Sequence, residues 1–172
     1  MSMNAHKKIC LVASIGGHLQ EIFELACIYD KVEHFFVVNE PFELPAHMRG
    51  RTHLIRHSER DLLAIWNLWE AWKILRRERP THLISTGAGL AVPLSLVARL
   101  RGIRVLYIES FCAIHRPTLT GRFMYYIAHQ FYYQWKYLEA FFPKAVYAGK
   151  IFDLRNSRNS QTAVRPLCEA GR

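Results

Sequence analysis

Two patterns of apolar positions alternate along this chain. Short unbroken apolar runs, closed by glycine, serine or threonine, alternate with longer segments whose apolar residues recur every three or four positions. The first pattern is that of strands buried on both faces, the second that of helices packed by one face. Lys8–Ala13 (KICLVA) ends in Ser-Ile-Gly-Gly, which predicts a buried strand and then a glycine turn. Residues 18–29 follow as a helix, with Leu19, Ile22, Phe23, Leu25 and Ala26 at helical spacing. Residues 33–38 (EHFFVV) predict a second strand, 39–50 a loop carrying two prolines, and 54–57 a short strand. Residues 61–77 read as a long amphipathic helix. Asp61 lies near its start and Arg76, Arg77 and Arg79 at its end, where the helix dipole favours them, and Pro80 stops it. A strand over 81–85 (THLIS) closes in Thr-Gly-Ala-Gly, and a helix over 90–101 ends at Gly102 with Pro93 in its first turn. Arg104–Ile108 is the next strand, a helix over 120–130 opens with Thr-Gly, and 131–135 and 145–147 complete the sheet.

Strands alternating with helices imply parallel pairing through right-handed crossovers. The predicted fold is α/β, a single Rossmann-like domain with a mostly parallel sheet flanked by helices. In an open sheet of this kind ligands bind beyond the carboxyl ends of the strands. Loops 14–18, 85–89 and 109–116 each follow a strand and are expected on that edge.

The length of 172 residues fits one domain, placed at residues 1–150. Residues 151–172 turn polar and rich in Arg, Asn and Ser, and are expected to be disordered or ordered by a partner. Lys and Arg outnumber Asp and Glu by 23 to 14, a net charge of +9, which favours phosphates, nucleic acid or anionic lipid without choosing among them. No nucleic-acid-binding signature is present, so no nucleic-acid partner is expected. Cys10, Cys27, Cys112 and Cys168 form no C-x-x-C pair and read as buried thiols of a reducing compartment. The amino terminus runs into a strand without a signal-peptide apolar region, and no stretch reaches the length of a spanning helix. A cytoplasmic protein with at most peripheral membrane contact is expected.

Several residues could carry chemistry. In Ser14-Ile15-Gly16-Gly17-His18 the glycines let the backbone approach a ligand, and a helix amino terminus offers free N–H groups to an anion. His18 suits a general base near neutral pH; a helix-entry histidine bound to backbone or water is the alternative. Thr86-Gly87-Ala88-Gly89 suits close approach of a phosphate or sugar, or else tight helix packing. Glu109, before Ser110, could bind a sugar hydroxyl or take a proton; a salt-bridged loop glutamate is the alternative. Trp66, Trp69 and Trp72, with Arg76 and Arg77, suit a membrane interface or a partner, while the leucine side of the same helix suits the core.

Taken together, these runs resemble a known family. LVASIGGHLQEIFEL is similar to the glycine-glycine-histidine opening of the Alg-fourteen-like and PssD-type polysaccharide-biosynthesis proteins. Residues 85–135 resemble their central block through the glycine-rich turn, Val92-Pro93-Leu94, Tyr107-Ile108-Glu109-Ser110, Leu119-Thr120-Gly121 and Gln134-Trp135. Tyr147-Ala148-Gly149 also fits, so the resemblance spans residues 8–149. It implies the acceptor-side, amino-terminal domain of a GT-B glycosyltransferase split into two chains, with a small carboxy-terminal-type partner holding most of the sugar nucleotide. The implied acceptor is a polyprenyl-diphosphate-linked glycan at the cytoplasmic membrane surface, the donor a UDP-sugar, and no cofactor is permanently bound. By this resemblance Gly16, Gly17 and His18 would face the acceptor diphosphate and His18 would be the base. Ser14, Thr86, Gly87, Gly89, Glu109 and Ser110 would line the same cleft.

Overall fold

The computed structural model describes residues 7–39, 44, 48–55 and 63–154. The expected helix start at Asp61, most of the proline-bearing loop, Cys168 and the tail from residue 155 lie outside the described residues.

Chain order runs β1 (Lys8–Ala13), α1 (Gly17–Glu24), α2 (Ala26–Tyr29), β2 (Glu33–Asn39), β3 (Thr52–Ile55), α3 (Leu63–Glu78), β4 (His82–Ser85), α4 (Ala91–Leu100), β5 (Arg104–Ile108), α5 (Leu119–Ile127), β6 (Gln130–Tyr133) and β7 (Val146–Tyr147). One helix was expected over 18–29, and two form. At Leu25 the backbone opens to φ −86°, ψ 12°, while its N–H still bonds the Ile22 carbonyl and its side chain is fully buried. Packing of Leu25 against the sheet outweighs continuation of the helix. α5 begins at Leu119 because the Thr118 hydroxyl accepts a 2.9 Å hydrogen bond from Gly121 N–H and caps it.

All seven strands pair in parallel, in the order β3-β2-β1-β4-β5-β6-β7. β1 is central and buried on both faces, which is why it reads as an unbroken apolar run. On one face Ala71 and Leu75 of α3, Leu94 and Ala98 of α4 and Met124 of α5 pack with Cys10, Val12, Leu83, Val105 and Tyr107. On the other, Leu19, Ile22 and Leu25 pack with Ile9, Leu11, Phe36, Ile84 and Ile108. From β1 the chain passes through α1 to one side; from β3 it returns through α3 to the other side. The order therefore reverses between β1 and β4, the kind of switch point beyond whose carboxyl strand ends open α/β sheets bind ligands.

The thiols do not all conform to expectation. Cys10 is buried, but Cys27 and Cys112 are exposed, because each lies on a surface away from the sheet.

Candidate active site

The loops leaving β1 and β4 meet at this switch point. Gly16 adopts φ 107°, a backbone region that a side chain would strain, and this turns the chain sharply from β1 into α1. The first N–H bonded within α1 is that of Gln20, to the Gly16 carbonyl at 3.1 Å, so the preceding N–H groups form the open positive end of the helix. Gly16 and Gly17 are exposed and have nothing within 4 Å of where a Cβ would stand.

His18 bridges the two loops. Its Nδ1 donates to the Thr86 carbonyl at 3.0 Å, and the Thr86 hydroxyl donates to the His18 carbonyl at 2.7 Å. In the neutral ring the proton therefore sits on Nδ1, leaving the Nε2 lone pair free to accept one. Burial pushes the imidazole pKa below its usual range, partly opposed by the bond to Thr86, and this keeps the ring unprotonated at neutral pH. The ring lies on Gly87, where a Cβ would fall 2.7 Å from Cε1 and 2.9 Å from Nδ1, at φ 128°. The Thr-Gly-Ala-Gly turn is thus shaped to admit the histidine ring. Thr86 and Gly87 are buried beneath it, Gly89 is exposed and Ser14 half-buried.

Glu109, expected at the cleft as a catalytic group, presents no surface to it: the residue is 0% exposed. Its Oε1 accepts from the Thr118 hydroxyl at 2.7 Å and from Ser110 N–H at 3.1 Å. Its Oε2 occupies the space where a Cβ on Gly121 would stand. Ser110 is likewise turned inward, donating its hydroxyl at 3.2 Å to Glu21 Oε1. Glu-Ser and Leu-Thr-Gly, separate in sequence, are thus two halves of one buried joint between β5 and α5.

Glu21 was not among the residues expected to matter. It is 2% exposed and accepts three hydrogen bonds besides lying near Glu109: Ser110 Oγ and Phe111 N–H, each at 3.2 Å to Oε1, and Gln134 Nε2 at 3.1 Å to Oε2. Burial raises its pKa to about 7, against the opposing pull of these donors. Gln134 also donates to the Glu109 carbonyl at 3.0 Å and accepts from Ile151 N–H at 2.8 Å, and Trp135 Nε1 donates to the Phe111 carbonyl at 2.7 Å. A helical-period signal for Glu21 did exist: with His18, Ile22 and Leu25 it completes an i, i+3, i+4, i+7 stripe.

Trp66, Trp69 and Trp72 stand on the outer side of α3 at 50%, 47% and 43% exposure, while Leu75 packs inward as expected, with Ala71 also in the core. Lys73 Nζ sits 3.2 Å from the Trp69 ring centroid and Arg101 4.8 Å from that of Trp72. Arg76 and Arg77 are exposed on the last turn, and Leu96, Leu100, Phe123 and Tyr126 continue the exposed apolar surface over α4 and α5. Among the described residues no helix is long and apolar enough to cross a membrane, and no cluster of His, Cys, Asp or Glu could hold a metal ion.

Known proteins resemble this chain in sequence and in fold. The chain is 25% identical to the Homo sapiens UDP-N-acetylglucosamine transferase subunit ALG14 over 177 residues, covering 83% of this chain and 82% of that protein. Among solved structures it resembles Acinetobacter baumannii MurG (TM-score 0.60, 17% identity, 76% of this chain and 42% of that one). It also resembles the UDP-GlcNAc 2-epimerase of Methanocaldococcus jannaschii (TM-score 0.66, 13% identity, 95% and 52%). The chain thus spans about half the length of these structures or less, the extent of one Rossmann-like half of a GT-B architecture. The family described as "Oligosaccharide biosynthesis protein Alg14 like" matches residues 58–151, including the β4 turn, the Glu109 joint and Gln134-Trp135, and the chain belongs to that Alg14-like family.

Proposed function

We propose that this chain is the acceptor-binding, membrane-associated subunit of a two-component glycosyltransferase. It would move a sugar from a UDP-sugar to a polyprenyl-diphosphate-linked acceptor in exopolysaccharide, capsule or lipid-linked oligosaccharide synthesis. The observation that carries this reading is His18 at the open end of α1, with Nδ1 committed to Thr86 and Nε2 left to accept a proton. A helix amino terminus beside a neutral imidazole suits an acceptor that brings both an anion and a hydroxyl to be deprotonated. The acceptor diphosphate lies against the first-turn N–H groups, where Gly16 and Gly17 leave the approach open. The acceptor O–H gives its proton to Nε2, the oxygen bonds the anomeric carbon, and the bond from that carbon to UDP breaks with its electron pair leaving on UDP. Glu109 and Ser110 serve this site from below, as supports of the loop after β5.

One Rossmann-like unit supplies one wall of such a cleft, so most donor contacts belong to a small partner subunit. The names of the mammalian relatives make UDP-N-acetylglucosamine the first donor to test. The tryptophan face with Arg76 and Arg77 would hold the chain at the cytoplasmic membrane surface, since tryptophan favours the interface and arginine the anionic headgroups. The test is an NMR titration of the isolated chain with a short-chain polyprenyl diphosphate sugar. Shifts centred on the amides of Gly16, Gly17 and His18 support the reading, and shifts confined elsewhere overturn it. The exposure of three tryptophans favours one second reading, a non-catalytic membrane adaptor that recruits and activates a catalytic partner. On that reading His18→Ala leaves turnover intact while Trp66→Ala/Trp69→Ala releases the complex from membranes.

A further inference from the structure

We propose that Glu21 is a positioning residue of this site: its carboxylate clamps α1, and with it His18, to the loops that end β5 and β6. The claim rests on the proposed role of His18 and on the geometry of one helix. α1 reaches the loop after β4 through His18 and, one turn later, the loop after β5 through Glu21, whose Oε1 holds both Ser110 Oγ and Phe111 N–H. Its Oε2 holds Gln134 just beyond β6, and Gln134 passes the connection to Ile151 N–H, where the chain leaves the sheet. A single turn of helix therefore ties together the loops following β4, β5 and β6 on the edge where the substrate is expected.

The chemistry of the clamp requires a carboxylate. All three partners of Glu21 are donors, and both carboxyl oxygens keep a lone pair to accept from them whether or not one carries a proton. An amide in its place sets an NH2 against an N–H donor at one end. Gln134 cannot turn to relieve this without losing both its bond to the Glu109 carbonyl and its bond from Ile151. The other ionisable groups around the clamp are Tyr107 on β5 and Glu109 just after it, both fully buried, and neither offers Glu21 a positive charge.

The test uses the full chain with its partner subunit, comparing Glu21→Ala and Glu21→Gln with Met124→Ala, a core variant on the opposite face of the sheet. A base displaced by about an ångström costs up to ~100-fold in rate. Glu21→Ala is expected to lower kcat at least about tenfold with the donor KM unchanged, and Glu21→Gln to fall between it and the parent. The second readout is the His18 imidazole titration by NMR in the chain alone, which needs no turnover. In Glu21→Ala its midpoint moves up toward the ordinary imidazole value as the ring loses its buried seat, while in Met124→Ala it stays put. Parental kcat and an unmoved His18 titration in Glu21→Ala would overturn the proposal, as would an equal loss in Met124→Ala. If the parent pair transfers no sugar, the reaction reading fails, and the titration alone still decides whether Glu21 positions His18.

Discussion

Substituting Gly121 by alanine interrogates the buried joint directly. A Cβ at this position falls on Glu109 Oε2, 2.6 Å from Cδ and 3.0 Å from Oε1. The carboxylate cannot retreat, because Glu109 is wholly buried and Oε1 is held by Thr118 and Ser110. Overpacking a filled site costs about 1–3 kcal/mol. Forcing the carboxylate off even one donor adds about 1.5–3 kcal/mol for a charge-assisted hydrogen bond. Against this, alanine is better than glycine inside a helix by about 1 kcal/mol. The net expectation is a loss of about 3 kcal/mol, which lowers the Tm of a domain this size by ~6–12 °C. Thermal unfolding followed by circular dichroism measures it. The decisive comparison repeats the substitution in a Glu109→Ala background, where the space is vacated and only the helix preference remains. There Gly121→Ala should be neutral or stabilising. An equal cost in both backgrounds would refute the joint between β5 and α5.

Five further expectations follow from the same geometry. His18→Ala, in a complex that still assembles, should lower kcat by about 10²–10⁴-fold, the usual contribution of a general base, in a steady-state transfer assay. Because the imidazole pKa lies below its ordinary range and the neutral ring is the active form, kcat/KM should stay level through neutral pH and fall only on the acid side of that range. Gly87→Ala should displace the ring against which its Cβ would press and raise the His18 titration midpoint, measured by NMR. Glu21 binds its proton more tightly folded, at about 7, than unfolded, at 4.5; its stabilisation is complete below the lower value and lost as pH rises through the higher, so denaturation midpoints should fall over that window and Glu21→Gln should flatten the slope. Trp66→Ala/Trp69→Ala should reduce sedimentation with vesicles containing phosphatidylglycerol without changing the Tm appreciably, since both rings are half exposed.

The sheet was legible because its strands are what the sequence most plainly encodes: after their polar first residues KICLVA, EHFFVV and RVLYI each run through four or five apolar residues without interruption. The reversal of order between β1 and β4 followed from alternating strands and helices only as far as the shared edge, which placed His18 and the Thr86 turn together. The break at Leu25 was not legible, since nothing local stops the helix and the cause is how Leu25 fits the core. The depth of Glu109 was hidden for a similar reason. A carboxylate after a strand reads as facing the cleft, and what draws it inward is the absence of a side chain at Gly121, twelve residues on, with the hydroxyl of Thr118 beside it. Glu21 was passed over, and Gln134 was read only as part of a family motif, because a buried polar network shows in sequence as polar residues within apolar stripes whose partners lie far along the chain. The motifs that identify the family were therefore readable before their work was: Glu-Ser, Leu-Thr-Gly and Gln-Trp hold the loops in place, while the glycines of the glycine-glycine-histidine turn face outward.

The central claim is that this chain supplies the acceptor side of a divided transferase. Its most direct measurement is transfer of labelled sugar from UDP-N-acetylglucosamine and other UDP-sugars to membrane lipid, by this chain alone, by its partner subunit alone and by the two co-expressed. The account predicts transfer only when both are present, lowered at least about a hundredfold by His18→Ala in the assembled pair. Transfer by this chain alone would contradict it, because a single Rossmann-like unit would then hold donor and acceptor together.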